Sequence, residues 1–212
     1  MTHDRSYCDE PTIPAYQIRA HFNDETIRVY QAYGDDIADT ALANGTFISP
    51  PFSMNRMTWI KPSFLWMMYR SGWAQKDPGQ KRILAIDITH DGFQRALDHA
   101  ALSHCPEHMT HEEWRARKDA SQVVIQWDPE RDLLHRPLQH RSIQIGLSPA
   151  AVQLYVNEWI RKVTDVTELA VTMGELVKIG RLDDALSLIP EEATYAARID
   201  DILPVRLEAT LT

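Results

Sequence analysis

The sequence predicts an α+β fold: a mixed or antiparallel sheet of at least five strands, with helices packed on it and a helical segment at the C-terminal end. Three observations carry this. Strand-like runs recur between residues 16 and 147, capped amphipathic stripes are interleaved with them, and helical patterns dominate from Ser148 onward. A chain of 212 residues, 44% apolar and 25% charged, is long enough to bury a core as one domain. The expected organisation is a single domain over 1–212, with an α+β body at about 15–147 and C-terminal helices over 148–212.

In chain order, Tyr16, Ile18, Ala20 and Phe22 alternate with polar residues as in a half-buried strand, which puts Arg19 and His21 on one face. The Asn23-Asp24-Glu25 turn leads into a second strand, Thr26 to Tyr33. Asp35 or Asp36 caps a helix carrying Ile37, Ala38, Ala41 and Leu42 on one stripe, and Gly45 ends it. Residues 52–80 are dense in aromatic, methionine and basic side chains and lack clear periodicity. Arg82 to Thr89 is a β-branched strand, followed by a helix from about Asp91 whose apolar face includes Phe93, Ala96, Leu97, Ala100 and Ala101, with Pro106 stopping it. Gln122–Trp127 and Ser142–Leu147 are further strands. Ser148-Pro149 opens a helix in which Val152, Tyr155, Val156, Trp159, Ile160 and Val163 share a stripe. Two more helices are expected over Asp165–Ile179 and Leu182–Ile189.

Composition excludes several classes of function. Cys8 and Cys105 are too few for a disulfide framework, Met1 to Tyr7 has no apolar run for a signal-peptide core, and no stretch approaches the ~20 apolar residues of a membrane span. A cytoplasmic protein that does not span a membrane is the expectation. The eight glycines, at 34, 45, 72, 79, 92, 146, 174 and 180, form no G-x-G pair, no Walker loop and no G-x-S-x-G elbow. The net charge of −8 divides into two acidic flanks around a slightly basic middle, residues 51–147, which holds seven of the nine histidines and five of the six tryptophans. Chemistry is expected there.

Three constellations stand out. His104, Cys105, His108, His111 and Glu112 contain zinc-ligand types at close spacing, although a connector of this composition is ordinarily a solvated loop, and no metal site is expected. Between Asn55 and Arg70, the cations Arg56, Lys61 and Arg70 are interleaved with Trp59, Trp66 and Tyr69, the pairing used to hold phosphates and stack on a nucleotide ring. Phe64, Leu65 and Met68 also fit a buried helical stripe, so the Arg56–Ser63 half is the functional candidate. In Gln126-Trp127-Asp128-Pro129-Glu130-Arg131, a strand end delivers two carboxylates and an arginine.

Several of these runs carry a resemblance. Ile18-Arg19-Ala20, Val29-Tyr30-Gln31-Ala32-Tyr33, the 16-residue block from Arg56 to Ser71, Gln126 to Arg131 and Arg141 to Leu147 resemble the signature blocks of the domain-of-unknown-function family numbered 4291. The resemblance covers roughly residues 15 to 165 and leaves out the His104–Trp114 connector. That family name carries no activity. A fold-level similarity does: an arginine on an early strand, an aromatic-serine segment and a glutamate at a late strand end resemble the R-S-E order of ADP-ribosyltransferases, which consume NAD without a glycine-rich loop. The similarity implies NAD as substrate, with Glu130 on the ribose 2′-hydroxyl and the developing cation, Arg19 on a phosphate or ribose, and Ser63 orienting them. Tyr30 or Trp59 would stack on nicotinamide, and Arg56, Lys61 and Arg70 would bind phosphate. The sequence departs from that pattern in two places. Ser63 lies in Lys-Pro-Ser-Phe, without small polar neighbours, and Asp128 stands two residues before Glu130 where a second glutamate would be. A nucleic acid or small molecule is the implied acceptor. Two other classes remain open on the residues alone: a non-catalytic nucleotide- or nucleic-acid-binding module and a metal-dependent hydrolase at His104–His111.

Overall fold

The computed structural model describes residues 14–205; Cys8 and the Met1–Tyr7 stretch lie outside the described residues. A two-residue strand β1 (Arg19–Ala20) precedes β2 (Thr26–Tyr33), and between them the Asn23 side chain accepts the amides of Glu25 and Thr26 at 2.9 and 2.8 Å, which shapes the turn. Helix α1 (Asp35–Asn44) ends at Gly45, whose φ of 69° favours glycine. The aromatic-basic segment folds into β3 (Thr58–Ile60) and α2 (Phe64–Ser71). There follow β4 (Arg82–Thr89), α3 (His90–Asp98), β5 (Ala100–Leu102), α4 (His111–Ala120), β6 (Val123–Arg131) and β7 (Pro137–Leu147). The remainder is α5 (Pro149–Leu154), a π-helical turn Tyr155–Trp159, β8 (Ile160–Asp165), α6 (Thr167–Lys178), α7 (Leu182–Ser187) and β9 (Ala193–Thr194).

The α+β class is as expected, but the strands divide among sheets of four (β3-β7-β6-β5), three (β2-β4-β8) and two (β1-β9). One bridge joins the two larger sheets edge to edge, the Tyr30 amide donating to the Lys61 carbonyl at 2.7 Å. Ile60, Ile125, Ile143 and Ile145 from the four-stranded sheet meet Ile27, Val29, Leu84, Ile86 and Ile88 from the three-stranded sheet in one core. On the other face of the three-stranded sheet, Tyr30, Ile83 and Ala85 pack against Phe64, Met67 and Met68 of α2 and Ala170 and Met173 of α6. Strand β4 is thus buried on both faces, which is why its sequence is nearly continuous in apolar residues.

Several expectations need correction. The helix from Ser148 stops short of Ile160: after the π-helical turn, Ile160–Asp165 pairs antiparallel with β4, placing Val163 opposite Ile86. Its β-branched residues satisfy a helical stripe and a strand equally, and the open edge of β4 decides between them. The helix after β4 ends at Asp98, and Ala100–Leu102 becomes a strand parallel to β6 instead of its last turn. Within the Tyr16–Phe22 run only Arg19–Ala20 forms a strand, paired with Thr194 and Ala193 near the C-terminal end; toward β2 there is one bridge, Phe22 to Ile27, with the Arg28 amide donating to the His21 carbonyl at 2.9 Å. The loop read at His104–Trp114 holds the first turn of α4, closed by a reciprocal Thr110–Glu113 capping box.

Near its N-terminus, α3 passes close to the π-helical turn. A Cβ added at Gly92 would sit 2.8 Å from Trp159 Cβ, and Trp159 is 4% exposed. Helix propensity alone favours alanine over glycine by up to ~1 kcal/mol, so the sign of the effect discriminates between propensity and packing. Gly92→Ala is expected to destabilise the protein by about 1–3 kcal/mol in denaturant unfolding; a stabilised variant would contradict the close packing described.

Candidate functional site

Strand β6 ends in a device that turns one carboxylate inward. Pro129 has no N–H to contribute to the ladder, and the β6–β7 register shifts between Pro129, opposite Arg141, and Arg131, opposite Pro137. Glu130 is left out of the pairing, as a bulge residue is, and its side chain is only 8% exposed. Its Oε1 accepts the Arg131 amide at 2.8 Å. Burial pushes the Glu130 carboxyl above the usual carboxylate range, against the pull of the Arg131 amide and of the nearby Ser63 and Ser142 hydroxyls, which favour the charged form.

Ser63 reaches this carboxylate because it is the N-cap of α2. Its Oγ accepts the Trp66 amide at 3.1 Å and it is 2% exposed, so the capping hydroxyl is held at a fixed place beside β6. The next amide, of Phe64, donates at 2.7 Å to Oε1 of Glu192, a second carboxylate brought in by the segment before β9. Burial, then the nearby Glu130 charge, push the Glu192 carboxyl up to about 8, against the opposing pull of the Phe64 amide and the Arg19 guanidinium. Arg19 is held by β1–β9 pairing and donates from Nη2 to the Glu192 backbone carbonyl at 2.9 Å.

Arg19, Ser63, Glu130, Arg131, His140 and Glu192 line one cavity of about 210 Å³, closed on its apolar side by Leu65, Leu138, Ile189 and Pro190. Arg131 forms part of the wall with its guanidinium carbon 4.1 Å from the Tyr69 ring centre and 5.6 Å from that of Trp66, a stacked posture that restrains it. Two carboxylates with raised proton affinity thus share a cavity with the Arg19 guanidinium, a set of groups that can accept hydroxyl protons and pair with an anionic oxygen.

The model of a family described as a domain of unknown function, DUF4291, matches residues 17–195. The chain belongs to that family. The match runs from just before β1 through β9, so both Arg19 and Glu192 lie within the DUF4291 domain. No curated protein matches the chain.

Within this DUF4291 domain, the residues expected to form the site separate into two groups. Arg19, Ser63 and Glu130 come together in the cavity, whereas Tyr30, Arg56, Trp59, Lys61 and Arg70 are not among its lining. Tyr30 is 1% exposed and packs edge-on against Phe64, with its ring centre 5.4 Å away, so the ring has no free face for stacking on a ligand. Trp59 lies over Gly146, where a Cβ would come within 3.0 Å of the indole. Arg70 is exposed near the C-terminus of α2, where its charge favours the helix dipole. Arg56 lines a different cavity of about 310 Å³, with Tyr33 and Phe52. Lys61 is 7% exposed with a single 3.4 Å hydrogen bond to the Trp59 carbonyl, and burial lowers its ammonium to about 7, with the Arg70 charge adding to the effect and that of Asp128 opposing it.

Sequence reasoning missed Glu192 and His140. Glu192 follows an exposed Glu191 in a segment read as the end of a helical tail, and a two-residue strand leaves no periodicity to detect. His140 lies on the part of β7 that the expected Ser142–Leu147 strand did not include. Asp128, which the sequence places beside Glu130, is engaged elsewhere, accepting the side-chain amides of Gln126 and Gln144 at 2.9 and 2.5 Å. In the His104–His111 connector, His104 Nδ1 pairs with Ser103 Oγ at 2.8 Å and Cys105 Sγ faces the Met109 carbonyl at 3.4 Å. Among the described residues no three His, Cys, Asp or Glu side chains gather in a metal-holding group, and no helix is long and apolar enough to cross a membrane.

Lys61 supplies a pH test of this geometry. Its folded-state pKa is depressed, so its contribution to stability is full above the unfolded value and is lost as pH falls through about 7. Lys61→Met is expected to raise the unfolding midpoint most near pH ~6, with the gain fading toward pH ~10. A pH-independent difference would show that the ammonium is solvated.

Proposed function

We propose that this protein transfers ADP-ribose from NAD to a hydroxyl-bearing acceptor, either a nucleic acid or a small molecule. The observation that supports this reading is the convergence of Arg19, Ser63 and Glu130, from three separated parts of the chain, on one cavity. Cleavage of the bond between the anomeric carbon and nicotinamide develops positive charge on the ribose, and a carboxylate beside that carbon stabilises it. Glu130 supplies the carboxylate and accepts the 2′-hydroxyl. Ser63 and the Arg131 amide hold Glu130 in orientation and favour its charged form against burial. Arg19, with its guanidinium fixed on the Glu192 carbonyl, binds a phosphate or ribose oxygen. Nicotinamide departs neutral because its ring is cationic in NAD, so the site needs no acid on the leaving group.

A second reading draws on Arg56, whose cavity beside Tyr33 and Phe52 is separate from Glu130. In a non-catalytic nucleotide-binding module, salt-sensitive affinity would survive Glu130→Gln and fall with Arg56→Ala.

With NAD labelled in its nicotinamide ring, the transferase reading predicts that Glu130→Gln slows nicotinamide release by about 10²–10⁴-fold while leaving the unfolding midpoint close to that of the wild type. Equal release by the two proteins, or none by the wild type, would refute it.

A further inference from the structure

We propose that Glu192 is the proton acceptor of the transfer step, taking the hydroxyl proton of the acceptor as its oxygen attacks the anomeric carbon from within the Arg19–Glu130 cavity. This rests on the transfer reading above and adds a catalytic residue to it, together with a preference for hydroxyl acceptors, water included.

Three observations carry the assignment. First, Glu192 and Glu130 line the same cavity from different segments, the stretch before β9 and β6, as do the two carboxylates that divide labour in glycosyl transfer. Second, only one oxygen of Glu192 is occupied: Oε1 accepts the Phe64 amide at 2.7 Å, and among the described residues Oε2 makes no hydrogen bond, which leaves it for a cavity occupant. Third, Asp128, at the position two residues before Glu130, has both oxygens taken by Gln126 and Gln144 and cannot serve.

The groups that face Glu192 set its protonation. Arg19 of β1 and the Phe64 amide of α2 favour the charged carboxylate; Glu130 of β6 disfavours it, and burial disfavours it most. Tyr30 of β2 also senses its charge, and Arg131 and His140 complete the cavity wall. The result is a carboxyl held protonated at neutral pH and ionised above about 8. In the transfer, the bond from the anomeric carbon to the nicotinamide nitrogen breaks and its electron pair leaves with neutral nicotinamide. A lone pair of the acceptor oxygen forms the new bond, and the acceptor proton passes to the Glu192 carboxylate, which returns it to solvent. Because the carboxylate must be ionised to accept a proton, the rate rises with pH through the range in which Glu192 ionises.

The test uses the full chain, labelled NAD and water as the acceptor, between about pH 6 and pH 9.5, for the wild type, Glu192→Gln, His140→Gln and Glu130→Gln. The amide oxygen introduced by Glu192→Gln can still accept the Phe64 amide, so the fold is expected to persist, and thermal unfolding checks this. Expected are wild-type release that rises about tenfold or more and levels off above pH ~8.5, and release by Glu192→Gln that is flat with pH and about 10²-fold below the wild-type plateau. His140→Gln, which alters the cavity wall, should keep the rise with pH whatever the height of its plateau, and Glu130→Gln should stay about 10²–10⁴-fold below the wild type throughout. An independent readout is the infrared carbonyl band of a protonated carboxylic acid, present at neutral pH, lost on raising the pH and diminished in Glu192→Gln. If Glu192→Gln keeps the wild-type profile while Glu130→Gln is slowed, or if His140→Gln alone removes the pH dependence, the assignment to Glu192 is overturned and the transferase reading stands. If the wild type releases no nicotinamide at any pH, both are overturned.

Discussion

The 2.7 Å hydrogen bond from the Phe64 amide to the Glu192 carboxyl ties the end of the described chain to the start of α2, and the site depends on that tie. Ser63 sits one residue earlier, so the cap that starts α2 also presents its hydroxyl to Glu130. The Glu192 backbone carbonyl receives Arg19, and two residues later Thr194 pairs with Arg19 across β1–β9. A segment with little regular structure of its own thus positions a guanidinium, a helix N-terminus and a carboxylate together. Helix geometry assists, since the first amides of α2 have no partner within the helix and are free to meet a side chain.

Burial and hydrogen bonding pull the two carboxylates in opposing directions. In each, the loss of water outweighs the donors that favour charge, and the Glu130 charge makes ionisation of Glu192 harder still. Such a shift suits a group that holds and releases a proton near neutrality, the role proposed for Glu192. The same argument separates these residues from Asp128, which is locked by two amides, and from Lys61, whose burial at the sheet junction follows from the Tyr30–Lys61 bridge that joins the two large sheets.

How far the sequence revealed this depends on the range of the signal. Strands β2 and β4, helices α1 and α3 and the inner parts of β6 and β7 were legible because alternation, caps and β-branched runs are local, and the α+β class followed from their order. Arg19, Ser63 and Glu130 were legible through a similarity of order along the chain. Strand β8 was not, because Ile160 and Val163 fit a helical stripe as well as a strand and only the unpaired edge of β4 selects the strand. Glu192 was invisible for a related reason: its role comes from contacts with partners 128 and 173 positions away in sequence, and nothing in Pro190-Glu191-Glu192 marks which glutamate turns inward. In the aromatic-basic block, composition alone does not tell a core position from a cavity wall: Lys61 lies at the bridge between the two large sheets and Trp59 against Gly146, whereas Ser63 and Leu65 reach the Arg19–Glu130 cavity and Arg56 lines another.

Whether the Arg19–Glu130 cavity receives the ribose of NAD is tested most directly by a crystal structure of the Glu130→Gln variant with NAD bound. The expected result is the nicotinamide ribose in this cavity, its 2′-hydroxyl on the side chain at position 130 and its anomeric carbon facing Glu192. NAD bound instead beside Arg56, with the Arg19 cavity empty, would contradict it.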